Sequence, residues 1–438
     1  MDAWKQSKPG GQLREEVAEQ VMSDLSVARL TKELCFELPS DARAWLGSDQ
    51  LPEAPATRFD QRIEPSNLLN PHSGAIWGGQ MLPDTLPVVA DGAGNALCLR
   101  FGFEGSVVEV IEWNHEGGDW KPFGKSLAEA LVLDASLPVL DQGDPDETID
   151  ESAIEDSFAF ADWAAAWIPG LDLSTLRVNA SELRELPSRL AALGVAPVAL
   201  AQWNCRRYLT TRLERLCRQV GGGKIAGSLG VSWAEFSRWL SEPRLIPEHQ
   251  IEPLSKLTTV PFDQLVRQDW ESAAAAAQAV LRIRVDLAWP FAVLGRFKTE
   301  QDDIAGAAAF YAAGLEATGT TEDFVASWKS RFDNRTKFIP NALQTLSLQV
   351  PPSKQEYLEL FFSREPANGV RNYWIKHGEA AESNQQYELA YKCYYSAGWD
   401  LPVQNGIEEV LNRLEGVAVK AGYYALARLA RHHRLAMG

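Results

Sequence analysis

The stretch that decides the fold is residues 86–133, LPVVADGAGNALCLRFGFEGSVVEVIEWNHEGGDWKPFGKSLAEALVL. Apolar residues alternate with period two on both sides of the Gly-rich cluster 91–95, which predicts two strands joined by a tight turn. A third alternating run ends at Trp113, and a second Gly-rich turn covers 115–119. Ser126 and Glu129 then have the spacing of a capping box, which predicts the start of a helix. The pattern indicates a sheet with flanking helices, an α+β domain.

This arrangement resembles the SUKH superfamily, which includes the Smi/Knr regulators of the yeast cell wall and many bacterial immunity proteins. The resemblance covers about residues 15–140, and it rests on the order and spacing of several short segments. These are the LPSDARAWL segment 38–46, the DGAGN turn 91–95, the apolar strand 97–101, the WNHE segment 113–116 and the SLAE helix start 126–129. Membership of this superfamily implies an α+β fold and, in the immunity proteins, neutralisation of a toxin, often a nuclease, by direct contact.

The two Gly-rich turns are where we expect a partner to bind. Turns at the end of a sheet present recognition groups on a rigid scaffold, and these turns combine aromatic side chains with carboxylates. The predicted partner-binding residues are Asp91, Asn95, Trp113, His115, Glu116, Asp119 and Trp120. Trp113 and Asn95 have an alternative, purely structural interpretation, because both lie where the fold itself needs them.

Length and composition are typical of a multidomain globular protein. The chain has 438 residues, 45% of them hydrophobic and 23% charged, which predicts two to four domains. The start of the chain lacks the basic and apolar regions of a secretory signal, and no apolar run is long enough to cross a bilayer. The five cysteines are scattered among apolar neighbours and are interpreted as reduced thiols. We therefore expect a cytoplasmic protein.

The net charge of −17 is concentrated in the first part of the chain. Residues 1–140 contain 21 acids and 11 bases, a net −10, and residues 141–162 contain nine acids and no base. The remaining sequence therefore carries about +2, from −17 + 10 + 9. This acidity is interpreted either as a solvated linker or as an acidic surface that steers a basic partner.

Composition and periodicity divide the chain into four predicted parts. An α+β domain at 1–140 precedes an acidic linker at 141–162, which is poor in apolar residues. Beyond it, helical spacing replaces the period-two alternation. A helical region at 163–270 and an all-α solenoid at 271–438 complete the prediction.

Residues 221–240, GGGKIAGSLGVSWAEFSRWL, resemble the helix-turn-helix of repressor-type DNA-binding domains, within a module at about 205–267. Gly230 has the position that needs positive φ in the turn. From 205 to 244 there are eight bases and three acids, but the predicted recognition helix 232–240 offers only Ser237 and Arg238 as obvious readers of bases. Glu235 would face phosphates unfavourably. Both DNA binding and a structural or protein-binding role stay open.

Helical hairpins are predicted from about residue 280 onward. The segment FYAAGLE at 310–316 has an echo 84 residues later in YYSAGWD at 394–400, and the second copy resembles a tetratricopeptide hairpin. An offset of 84 is about two units of 42, so the prediction is an irregular helical-repeat solenoid. Such stacks present a concave groove for protein partners.

Motifs for chemistry are weak in this sequence. The segment HEGGD at 115–119 lacks the second His of a zinc helix, and no phosphate loop, nucleophile elbow or Cys/His pair can be nominated. We therefore predict a non-enzymatic protein with no catalytic residues, no metal and no cofactor. Three functions are left: an immunity protein that binds a toxin, a scaffold that uses its helical repeats, and a DNA-binding regulator.

Overall fold

The structure, a computed structural model, describes residues 26–48, 58–142, 163–172, 185–241, 243–317, 338–401 and 405–438. It divides into two compact units. Unit 1 comprises Met1–Pro197, Ile375–Gly398 and Gln404–Gly438, and unit 2 comprises Val198–Trp374 and Trp399–Val403. Most of the predicted acidic linker, 143–162, lies outside the described residues, whereas 141 and 142 are the last residues of a helix.

Helices make up most of the described residues and are numbered here in chain order. The helices up to Ser241 are α1 (26–34), α2 (Ser40–Gly47), α3 (Pro65–Leu69), α4 (Leu127–Gln142), α5 (Leu186–Ala192), α6 (Pro197–Leu209), α7 (Arg212–Val220), α8 (Gly222–Ser228) and α9 (Trp233–Ser241). The later helices are α10 (Glu248–Thr258), α11 (Phe262–Leu265), α12 (Trp270–Leu281), α13 (Ala288–Glu300), α14 (Ile304–Gly314), α15 (Phe338–Thr345), α16 (Pro352–Leu360), α17 (Pro366–Ser383), α18 (Tyr387–Trp399), α19 (Ile407–Ala421) and α20 (Tyr424–Leu435).

Unit 1 contains a five-stranded antiparallel meander with the strand order β1-β2-β3-β4-β5. The strands are β1 (Gln61–Arg62), β2 (Thr85–Ala90), β3 (Ala96–Phe101), β4 (Val107–Trp113) and β5 (Trp120–Gly124). The α+β class predicted for this part of the chain, and the mainly helical character of the rest, are confirmed. The edge strand β5 was not predicted, because Pro122 interrupts its pattern; an edge position tolerates proline, since one side of the strand needs no ladder hydrogen bond.

Helix α4 packs on one face of the sheet, and its first turn is fixed by two caps. The amide of Glu129 donates to Ser126 Oγ (3.2 Å), as the capping box predicts. The amide of Ala128 donates to Asp41 Oδ2 (3.0 Å), so the aspartate of the LPSD segment ties α2 to α4. Farther along α4, Asp134 Oδ2 accepts from the amide of Phe59 (3.1 Å).

The opposite face of the sheet is covered by helices from the end of the chain. Tyr395 on α18 bonds Asp84 (3.3 Å), and its hydroxyl accepts from Arg100 of β3 (3.5 Å). His433 on α20 bonds the carbonyl oxygen of Thr85 at the start of β2 (2.9 Å). Strand β2 is buried along almost its whole length, so both faces of the sheet need cover. The sheet and the last helices therefore form one unit, whereas the sequence had suggested separate domains at 1–140 and 271–438.

Residues after the acidic segment also belong to unit 1. Trp163 packs edge-on against Trp45 of α2, with ring centroids 5.4 Å apart. The amide of Ala196 donates to Glu129 Oε2 (3.0 Å). The predicted helical region 163–270 is thus divided, because its first part packs on the α+β core.

In unit 2, helices α7 to α11 enclose a common apolar core. Thr211 caps α7 by accepting from the amide of Glu214 (3.1 Å), and Gly230 has φ +70° in the turn between α8 and α9. The core residues are Leu213, Cys217, Ile225, Ala226, Phe236, Trp239, Leu240, Ile246, Leu254, Val260 and Leu265. The apolar positions expected to be buried in a helix-turn-helix all lie in or against this core: Ala226, Leu229, Val231, Phe236 and Trp239.

A contact between helices recurs in the two segments of the predicted echo, although it repeats after 83 residues and not after 84. In unit 2, the ring of Tyr311 on α14 lies directly over Gly295 of α13, leaving no room for a Cβ. In unit 1, Tyr394 on α18 lies over Gly378 of α17 in the same way. Each tyrosine follows its glycine by 16 residues in the sequence. A Tyr-over-Gly contact therefore sets the close approach of the two helices in both hairpins.

Candidate functional site

The first Gly-rich turn, between β2 and β3, is organised by Asp91. Its Oδ1 accepts from the amides of Ala93 (2.8 Å) and Asn95 (2.9 Å), and its Oδ2 accepts from the Asn95 side-chain amide (2.5 Å). The carboxylate therefore replaces backbone partners inside the turn. The turn is held in one conformation while its tip, Gly92 and Ala93, stays exposed.

Asn95 joins the first turn to the second. Its Oδ1 accepts from the amide of His115 (3.2 Å) and lies 3.2 Å from Nδ1 of the same residue. Gly94 has φ +100°, and a Cβ there would lie 2.9 Å from the His115 ring, so only glycine allows this approach. Asp91, Asn95 and His115, predicted as a group, are brought together by these contacts.

Trp77, which is not among the predicted partner-binding residues, borders the turns. Trp77 is 41% exposed, and its ring lies 5.8 Å from the rings of both His115 and Trp113. It is followed by Gly78, which packs closely against His433 of α20 and Met437, and by Gly79, which packs against Ile407 of α19 and Met437. The sequence signal that could have identified Trp77 as a surface residue is its position before two glycines in an irregular segment. A large aromatic side chain in such a segment is less often part of a core.

The acidic residues of the second turn lie beside this aromatic group. Glu116 is exposed, and its amide donates to Asn114 Oδ1 (3.0 Å). Asp119 is half-buried, and its carbonyl accepts from the amide of Asn114 (2.8 Å). We call the surface formed by Trp77, Asp91, His115, Glu116 and Asp119 the turn rim.

Two of the predicted partner-binding residues lie in the core. Trp113 is fully buried and Trp120 is 2% exposed; they pair across β4 and β5. The Arg100 guanidinium lies 5.3 Å from the Trp120 ring. Their side chains are on the sheet face that the C-terminal helices cover, which the sequence around them did not reveal. Neither ring is available to a partner on the surface, so the structural interpretation applies to Trp113.

The buried centre of that face is an ionic network around Arg100. Its Nε donates to Asp84 Oδ2 (2.9 Å) and its Nη1 donates to Glu109 Oε1 (2.8 Å). Burial alone lowers the pKa of Arg100, but the negative charges of Asp84 and Glu109 raise that pKa well above its usual value. Two carboxylates thus share one buried cation, and Tyr395 completes the network.

Buried thiols account for most of the cysteines. Burial raises the pKa of both the Cys98 and the Cys205 thiols, and it raises that of Cys217 to about 11. Such thiols are protonated at neutral pH and are poor nucleophiles. Within the described residues, no group of three or more His, Cys, Asp or Glu side chains could hold a metal ion. In the same residues no helix is long and apolar enough to span a membrane.

A second candidate surface is the exposed side of α9 in unit 2. Trp233 is 52% exposed, and Glu235 and Arg238 are exposed on the same helix. The Trp233 ring packs over Gly222 at the start of α8, where a Cβ would collide with it. Lys224 is exposed in the first turn of α8. This surface therefore mixes one large aromatic group with charges of both signs.

Comparison of the chain with protein-family models, with curated proteins and with solved structures finds no match in any of the three. A proposal of function therefore has to start from the two surfaces described above and from the resemblance of residues 15–140.

Proposed function

We propose that this chain is a non-enzymatic, cytoplasmic binding protein that captures a basic protein partner at the turn rim, and that it acts as an immunity protein against a toxin. The observation that carries the proposal is the hydrogen-bonded connection of the two Gly-rich turns through Asp91, Asn95 and His115. Side chains that are already held in place lose little conformational freedom on binding. The toxin as partner comes from the SUKH resemblance of residues 15–140.

The charge of the turn rim favours a basic partner. Glu116 is exposed beside the half-buried Asp91 and Asp119, within a region that carries a net charge of −10 over residues 1–140. A surface of one sign raises the association rate of an oppositely charged protein. Trp77 adds a half-exposed aromatic ring next to these carboxylates, the residue type most often found at the energetic centre of an interface.

Charge reversal at the turn rim is expected to reduce partner capture. The bait is the 438-residue chain, which is immobilised and then exposed to a lysate of its native host. The Glu116→Lys/Asp119→Lys double variant is treated in the same way for comparison. We expect the basic protein bound by the wild type to associate at least about tenfold more slowly with the double variant at low salt, with a smaller deficit at high salt. Trp77→Ala is expected to accelerate dissociation instead.

Glu271→Lys is the matched control, because Glu271 is an exposed acid in the first turn of α12 and belongs to unit 2, whereas the turn rim belongs to unit 1. It should bind as the wild type does. Thermal unfolding of each variant separates lost binding from lost folding. Equal capture of the same proteins by the double variant, Trp77→Ala and the wild type would contradict the proposal.

A scaffold function for the C-terminal helices has less support. Phe103, at the tip of the β3–β4 hairpin, packs against Tyr391 of α18 and Tyr423 before α20, with centroid distances of 5.6 and 4.9 Å. Lys392 Nζ lies 5.5 Å from the same ring. This part of the helical surface thus holds the sheet of its own unit.

DNA binding by unit 2 is the second candidate, favoured by the complete helix-turn-helix core around α8 and α9. We expect the full chain to bind a 30-base-pair duplex of random sequence weakly in a gel-shift assay, with affinity falling steeply from 50 to 200 mM salt. Glu235 and the acidic remainder of the chain oppose binding, whereas Lys224 and Arg238 favour it. Tight, sequence-selective binding that Arg238→Ala abolishes would make DNA the preferred ligand.

A further inference from the structure

Two consecutive histidines attach α20 to the sheet region of unit 1. His432 Nε2 bonds the carbonyl oxygen of Leu68 on α3 (2.6 Å), and His433 Nε2 bonds that of Thr85 on β2 (2.9 Å). His432 is 8% exposed and His433 is fully buried. Because successive residues on a helix point about 100° apart, the pair holds two different segments.

Only the neutral form of His433 suits its surroundings. A carbonyl oxygen accepts hydrogen bonds, so Nε2 carries the proton and Nδ1 has a free lone pair. Nδ1 is buried and has no hydrogen-bond partner. Protonation would therefore add a buried N–H group without an acceptor, together with a positive charge, and both are costly in an apolar environment.

The groups around the two histidines both raise and lower the histidine pKa values. The pKa of His433 is lowered to about 4, mainly by burial and also by the neighbouring His432, while the bond to Thr85 and the charge of Asp84 oppose these effects. Asp84 is itself bound to Arg100. Burial likewise lowers the pKa of His432, although its bond to Leu68 and the charge of Glu33 on α1 oppose this.

The segment that carries Trp77 packs on α20 and on residues near it. A Cβ at Gly78 would collide with the carbonyl oxygen of His433 and with Met437, and a Cβ at Gly79 would lie 3.1 Å from Ile407. The two glycines after Trp77 are thus packed directly on the end of the chain. Loss of α20 from this position would remove a packing partner of Gly78, the residue next to Trp77.

We propose that α20 is an acid-sensitive latch: protonation of His433 releases α20 from the sheet and loosens the segment that presents Trp77. The latch is independent of the identity of any partner. Since its parts are intramolecular contacts of unit 1, it can be tested without one.

The direction of the pH effect follows from the lowered pKa. The released state binds the proton with an ordinary histidine pKa of about 6.5, whereas the attached state does so only near pH 4. Attachment is therefore fully stable above pH 6.5 and weakens as the pH falls from 6.5 towards 4. At pH 5 these values raise the equilibrium constant for release about thirtyfold over that at pH 8.

Hydrogen–deuterium exchange of the full chain between pH 8 and pH 5, corrected for intrinsic exchange, tests the latch. We expect protection of α20 and of residues 74–81 to fall about thirtyfold at pH 5, with α13 in unit 2 unchanged. His433→Gln retains an amide that can donate to Thr85 but does not titrate, so its α20 should lack this pH dependence. His249→Gln, at an exposed histidine, should behave as the wild type does.

The same pH dependence in His433→Gln as in the wild type, or unchanged protection of the wild type down to pH 5, would overturn the latch. If His433→Gln does not fold, an NMR titration of the His433 ring in the wild type tests the latch. A titration midpoint near pH 6.5 while α20 is still protected from exchange would also overturn the latch. A midpoint that coincides with the loss of α20 protection supports it.

Discussion

Replacing Arg100 by methionine is expected to lower the free energy of unfolding of unit 1 by about 3–5 kcal/mol. The substitution leaves Asp84 and Glu109 buried without their shared cation, and neither is more than 7% exposed. An uncompensated buried charge is far more costly than the loss of a surface ion pair. Urea denaturation of the full chain, followed by a signal from the sheet, measures the change.

A surface control and a triple variant test whether the lost stability comes from the buried charges. Arg29→Met removes an exposed arginine that pairs with Glu33, and it should cost at most about 1 kcal/mol. Adding Asp84→Asn and Glu109→Gln to Arg100→Met should restore much of the lost stability, because no buried charge is then left unpaired. A loss below 1 kcal/mol for Arg100→Met alone would show that the network does not hold the C-terminal helices.

A fragment that ends at Pro197 is expected to lose its cooperative unfolding transition. It contains the sheet but lacks α18, α19 and α20, so the sheet face around Arg100 and Trp120 would be open to water. Exposed apolar surface of this kind produces an expanded state that binds hydrophobic dyes. Circular dichroism and dye fluorescence during urea titration measure the effect.

The matched chain replaces 198–374 by a flexible Gly/Ser linker and keeps 375–438, so that unit 1 is nearly complete. This chain should regain a cooperative transition. If the fragment ending at Pro197 unfolds as cooperatively and as late as the linked chain does, the C-terminal helices are not part of the core of the unit.

Local patterns predicted the elements whose structure depends on nearby residues. The alternation at 86–113 gave strands β2 to β4, since inward and outward side chains lie two residues apart. Ser126 and Glu129 marked the start of α4, because the cap is formed within four residues. The same holds for the helix-turn-helix core, where Gly230 and its apolar neighbours form a short-range unit.

Long-range contacts could not be predicted in this way. The sequence around Trp120 does not show that helices some 270 residues later cover its face of the sheet. For the same reason Trp113 and Trp120 were nominated as surface residues, and Trp77 was not nominated. The proximity of Asp91, Asn95 and His115 could be predicted, because both turns lie at the ends of adjacent strand pairs. The hydrogen bonds between these three residues could not be predicted.

The split composition of unit 1 has a consequence for synthesis of the chain on the ribosome. About 250 residues separate the end of β5 at Gly124 from Ile375, where the chain returns to this unit. At bacterial or eukaryotic translation speeds, the nascent sheet waits roughly 13–50 s for the helices that cover it. During that interval its apolar face and strand edges are open to chaperones and to neighbouring nascent chains. The yield of folded protein in the cell should therefore depend on the elongation rate across unit 2. Synonymous codon changes in that region, which alter no amino acid, should change this yield.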